Sequence, residues 1–113
     1  MEIITKSFQT KNGLAEGVQV KWSGFSILLV TGAKGLLACG VFDLEAFENF
    51  GVAAAIPEST PDNPIGNLER FPNRKIMKVN ARAEALGIRA GMDVRDAFEL
   101  IAQNSSPRWG EAR

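Results

Sequence analysis

Residues 14–30, LAEGVQVKWSGFSILLV, carry two hydrophobic patterns separated by a turn. Val18, Val20 and Trp22 alternate with Gln19 and Lys21, the two-residue period of a strand with one buried face. This spacing predicts that Val18, Val20 and Trp22 point inwards. Ser23-Gly24 interrupts the pattern. Phe25 to Val30 is then nearly continuously apolar, as expected of a central strand covered on both faces.

Working outward, residues 2–9 are rich in β-formers and read as an edge strand. Lys11-Asn12-Gly13 joins it to the next strand, with Asn-Gly supplying the positive φ angles of a tight hairpin. Gly32 to Gly35 turns the chain again, and Leu36 to Cys39 reads as a fourth strand. Turns about ten residues apart are those of an antiparallel meander.

Downstream the period changes. Asp43 is an N-cap candidate for a helix through Phe50, with Leu44, Phe47 and Phe50 inward and Gly51 as terminator. Val52 to Ile56 can return as a buried strand whose alanines imply close packing. Pro57, Pro61 and Pro64 exclude a regular element and predict an exposed loop. A helical turn fits within 65–71, and 76–79 fits a short strand or an irregular packing segment. Asn80 can cap a helix through Leu86, closed by Gly87 with Ile88 in the Schellman position. Asp93 and Asp96 suggest a short capping box, before Val94, Ala97, Phe98 and Ile101 form one apolar stripe. The fold class expected is α+β, a mostly antiparallel sheet of four to five strands with three short helices packed on it. Residues 1–103 make one domain and 104–113 a flexible tail, whose Trp109 can dock on a neighbouring subunit.

Composition narrows the chemistry. The 113 residues suit one domain, and hydrophobic and charged residues, at 45% and 23%, fit a folded chain. With no histidine or tyrosine, His-dependent triads, imidazole metal ligation and phenol acid–base catalysis are excluded. One cysteine excludes an intrachain disulfide and a Cys-rich zinc site, and fits a reducing, cytoplasmic setting. No metal or cofactor is expected. No apolar run approaches the length of a membrane helix, and no signal peptide is expected. Net charge is zero but uneven. Residues 41–69 carry six acids and no base, whereas 70–95 are net +5. Such blocks can neutralise each other or steer a partner. The basic run lacks interleaved aromatics and the pI is about 6.3, so nucleic acid is not expected as a partner.

Cys39-Gly40-Val41-Phe42-Asp43, followed by Ala83 to Met92 and Arg95-Asp96-Ala97, resembles the YunC-like family of small bacterial and archaeal proteins, a domain of unknown function. The resemblance runs from about residue 14 to 102. The chain departs from it at Ala90, where the family often has proline, and at Val94, where it often has glycine. The resemblance implies an α/β or α+β domain and no established activity.

Three features are candidate sites. Cys39 before a helix start can be a lowered-pKa nucleophile with Asp43 beside it, or a small buried hydrophobe; the second reading is favoured. Gly40 allows a ligand to approach the backbone. Arg82, Arg89 and Arg95 can converge on an anion or pair locally, Arg82 or Arg89 with Glu84 and Arg95 with Glu99. Arg95 is the strongest of the three, since a cation in the first turn of a helix opposes the dipole. Gly87 and Gly91 lack the lysine and hydroxyl of a phosphate loop. The function expected is a non-catalytic homo-oligomerising module that binds a small anionic ligand or a protein partner, the alternative being a Cys39-dependent enzyme.

Overall fold

A computed structural model describes residues 1–102; the expected tail 104–113, with Trp109, lies outside the described residues. The chain forms β1 (Glu2–Thr10), β2 (Gly13–Trp22), β3 (Phe25–Thr31), β4 (Gly35–Ala38), α1 (Leu44–Asn49), β5 (Ala53–Pro57), β6 (Ile76–Val79), α2 (Ala81–Leu86) and α3 (Val94–Ile101). The α+β class holds, but the sheet has six strands in the order β1 to β6. It is mixed, because β4 and β5 pair in parallel. The segment carrying α1 returns the chain to the end at which β4 begins, as a parallel pair requires. Residues 76–79 complete the sheet as an antiparallel edge.

Glycines fix the turns. In the first hairpin the positive φ falls on Gly13 alone, at 138°, so Lys11 and Asn12 keep ordinary backbone angles and the expected Asn-Gly turn does not form. The Thr10 hydroxyl closes the loop instead, donating to Gly13 O at 2.7 Å and accepting from Asn12 N at 3.1 Å. At Gly32 a Cβ would sit 2.4 Å from Ile101 O, and Lys34 N donates to that same carbonyl at 2.8 Å. The end of α3 thus lies directly on the β3–β4 turn.

Both short helices after β4 terminate at the expected glycines, but Phe50, expected to face inward, is exposed. Val52 N donates to Phe47 O and Gly51 N to Glu48 O, while Ile88 N donates to Ala83 O and Gly87 N to Glu84 O, two Schellman pairs. Asp93 stands at the N-cap of α3 but makes no side-chain cap bond. Its carboxylate instead takes the Lys75 ammonium at 2.8 Å. That ion pair wins because Lys75 and Asp93 already meet in an isolated antiparallel bridge.

Burial on the sheet corrects one expectation. On β2 the buried side chains are Ala15 and Gln19, while Val18 and Val20 are half-buried and Trp22 is 42% exposed. The inward face is therefore the one opposite Val18, Val20 and Trp22. Strand pairing aligns Ala15, Gly17 and Gln19 with Phe8, Lys6 and Ile4 of β1. It aligns Gly17 and Gln19 with Val30 and Leu28 of β3. Leu37, Ala53 and Ala55 continue this face. It packs on α2, α3 and the segment bearing Leu68 and Phe71 in one core. Gln19 is accommodated because its Nε2 donates to Gly66 O at 3.1 Å, as a buried amide requires. Gly17 is small because Leu68 and Phe8 reach into its space, 3.1 and 2.9 Å from where a Cβ would sit.

The opposite face carries Ile3, Val18, Val20, Trp22, Phe25, Ile27 and Leu29 across β1–β3, then Leu36, Ala38, Ala54 and Ile56 across β4–β5. Ala38, Ala54 and Ile56 are buried, and α1 packs against β5. Over β1–β3, Ile3 is 61% and Phe25 52% exposed, and Trp22 stacks on Phe25 with ring centroids 5.5 Å apart. No helix of the described residues is long and apolar enough to cross a membrane.

Candidate functional site

A concavity lies beside the parallel pair. In open sheets, ligands bind beyond the carboxyl ends of parallel strands. Here β4 and β5 run out beside a cleft of about 480 Å³ lined by Gly40, Phe42, Asp43, Leu44, Glu45, Glu48, Ile56, Lys78, Val79 and Asn80. Gly40 offers bare backbone to it, for nothing stands within 4 Å of where a Cβ would be.

Asn80 organises the wall of this cleft. Its buried Oδ1 accepts from Ala83 N at 2.9 Å and from Ala54 N at 3.1 Å, so one side chain caps α2 and ties it to β5. Its Nδ2 donates to Val52 O at 2.9 Å and Leu44 O at 3.4 Å, which adds α1. The sequence signalled only the cap. The cross-links to β5 and α1 had no local signal, because their partners lie 26 to 36 residues away.

Electrostatically the cleft is acidic. Asp43, Glu45 and Glu48 face it against the single ammonium of Lys78. Asp43 Oδ1 is the α1 cap, accepting from Glu45 N at 3.0 Å. Glu48 accepts from Arg82 N at 3.0 Å and pairs with Arg82 Nε at 3.4 Å. Among the described residues no three metal-ligating side chains group around a common centre. A concavity with this sign of charge repels a free anion, so Gly40 gains no support as an anion cradle.

The other expected residues do not gather here. Cys39 is half-buried, packs on the core and lies off the cleft. Its Sγ accepts from Leu28 N at 3.4 Å while its own N–H donates to Leu28 O at 3.0 Å. Both contacts belong to the β3–β4 ladder, which favours the small-hydrophobe reading.

The arginines do not converge. Arg82 serves Glu48 rather than Glu84. Arg89 Nη1 donates to the carbonyls of Glu84 and Ile88 at 2.8 and 3.1 Å, covering the end of α2. Arg95 Nη2 donates to Asn73 Oδ1 at 2.9 Å, not to Glu99. Sequence reasoning passed over Arg74, which is 7% exposed and donates to Asn63 O, Asn63 Oδ1 and Pro64 O at 2.7, 3.2 and 2.6 Å. It fastens the proline-rich loop to the segment leading into β6. Only its place beside a loop of free carbonyls marks it, and that is invisible in one dimension.

The model of a domain of unknown function, DUF1805, matches residues 38–101, from the end of β4 through α3. The chain belongs to this family. The DUF1805 match contains Cys39, Gly40, Asp43, Asn80 and all three candidate arginines. No curated protein matches the sequence. A crystal structure of a protein of unknown function, TA1206 from Thermoplasma acidophilum, is similar in fold, with a TM-score of 0.76 and 17% identity over 88% of this chain and 93% of that one.

Proposed function

We propose that this DUF1805 chain is a non-catalytic module that acts by pairing with a second copy of itself through the β1–β3 face. The carrying observation is the chemistry of that face. Ile3, Val18, Val20, Trp22, Phe25, Ile27 and Leu29 form one uncharged apolar surface. A two-fold interface sets a patch against itself. A strongly charged patch would repel its own copy; here the one acid beside the patch, Glu16, stands at its end next to Val18, where its carboxylate accepts from Ser7 Oγ at 2.6 Å. Three strands about 4.8 Å apart and about seven residues long give a footprint of about 14 by 23 Å. That is on the order of half the ~800 Å² per partner of standard interfaces, so pairing is expected to be reversible and concentration-dependent.

A YunC-like, prokaryotic and cytoplasmic identity belongs to the same reading. The motifs that carry the YunC resemblance, Cys39 to Asp43 and Ala83 to Ala97, fall inside the matched residues. A single cysteine without a disulfide partner fits a reducing compartment.

Sedimentation equilibrium over a concentration series tests the proposal. The wild type should shift towards twice 12.2 kDa as concentration rises, and Val20→Lys should stay monomeric with an unchanged circular dichroism spectrum. A wild type that remains monomeric to about 100 μM, a concentration at which interfaces of even modest affinity fill, overturns it. Thiol alkylation against pH separates the enzyme alternative, which needs Cys39 to react in the native state.

A further inference from the structure

A second surface, away from the β1–β3 face, has the features of a strand-accepting groove. It is a cleft of about 420 Å³ lined by Lys6, Ser7, Phe8, Gln9 and Thr10 of β1, and by Pro72, Arg95, Phe98 and Glu99. Side chains of successive strand residues point to opposite faces. Five consecutive residues can therefore line one cavity only where it runs along the open edge of the strand. β1 is such an edge, at the end of the sheet order, and an edge strand presents unpaired N–H and C=O groups.

The side chains around that edge set the sign of a guest. Lys6 and Arg95 are both exposed, and neither has a carboxylate within salt-bridge distance among the described residues. Arg95 spends one Nη2 bond on Asn73, leaving most of its five donors free. Lys6 rests over the Phe8 ring at 5.8 Å. Glu99 is the one acid in the lining, and its carboxylate already accepts from Lys11 N at 3.1 Å. Phe8 meets Phe98 in a tilted ring pair, centroids 4.9 Å apart, and gives the groove an apolar floor.

We infer that β1 accepts an extended acidic peptide segment as an added strand, with a carboxylate side chain held between Lys6 and Arg95. Main-chain bonds to the edge supply affinity and the alternating side chains supply selection. Arg95 in the first turn of α3 then has a reason to be there, because an incoming carboxylate offsets its conflict with the helix dipole.

The test uses a fluorescent acetylated heptapeptide, VEVEVEV, with fluorescence polarisation as the readout. Two control peptides accompany it, one with glutamine for each glutamate and one N-methylated at alternate backbone nitrogens. Saturable binding of the first peptide is expected, weakened by salt and at least about tenfold poorer for either control. Arg95→Gln and Lys6→Gln should each weaken it by about tenfold, as expected for one charge-assisted contact. Val20→Lys should leave it unchanged, so this test does not depend on self-pairing through the other face. No binding, equal binding of either control, or loss of binding only in Val20→Lys overturns the inference.

Discussion

The two faces of β2 invert the usual relation between side-chain size and burial. The face covered by this chain's own helices carries Ala15, Gly17 and Gln19 on β2, whereas the face left open over β1–β3 carries Val18, Val20 and Trp22. On β2 the covered face is slender because its neighbours reach over it, with Leu68 from the cover and Phe8 from β1 occupying the space over Gly17. The open face is large and apolar with nothing from the described residues above it. Alternation therefore tells that two faces differ, and the cover decides which is which.

The contrast can be broken most forcefully at the covered face. Leu37 is fully buried there, so Leu37→Ala should cost about 2–5 kcal/mol in denaturant unfolding; a cost under about 1 kcal/mol would mean the core is elsewhere. Asn80→Ala comes next. It removes the α2 cap and leaves Ala54 N–H without its partner, together about 2–4 kcal/mol by the same measurement. At the open face Val20→Lys should change stability by less than about 1 kcal/mol when measured on dilute protein, while abolishing concentration-dependent mass. A loss as large as that of Leu37→Ala would show that both faces are internal.

The smallest effect lies outside both faces. The hydrogen bond from Lys75 to Asp93, together with the carboxylate's charge, raises Lys75 above the ordinary lysine value of 10.5. A lysine favoured in its charged form by folding contributes fully below the unfolded-state value. That contribution disappears as pH rises through the higher folded-state value. Stability should therefore dip slightly above about pH 10.5, and Asp93→Asn should erase the dip; the pair is exposed, so the amplitude is small.

Most local signals were legible; the Asn12-Gly13 turn was the exception, because the neighbouring Thr10 hydroxyl closes the loop. Gly51 and Gly87 closed helices, Asn80 capped one, and the apolar stripe of Val94, Ala97, Phe98 and Ile101 faces the core as its spacing implies. The other failures needed a distant partner. The parallel register of β4 and β5 depends on where α1 lays the chain. Asp93 abandoned its cap for Lys75 because a strand bridge brought the two together. At the candidate cleft Gly40 and Asp43 were legible. The wall supplied by Glu48, Ile56 and Lys78 was not, since those side chains come from separate elements. The three arginines are near in sequence yet are parted by the α2 and α3 directions, each taken by its nearest acceptor.

The carbonyl of Ile101 that receives Lys34 N over Gly32 also bears on how the protein is made. On the ribosome the meander can emerge and pair early, yet its β3–β4 corner stays unlatched, and the cavity destined for Val94, Ala97, Phe98 and Ile101 stays empty, until α3 has cleared the exit tunnel. Nascent chains stalled before that point should be easily digested by protease, and those released past it should resist.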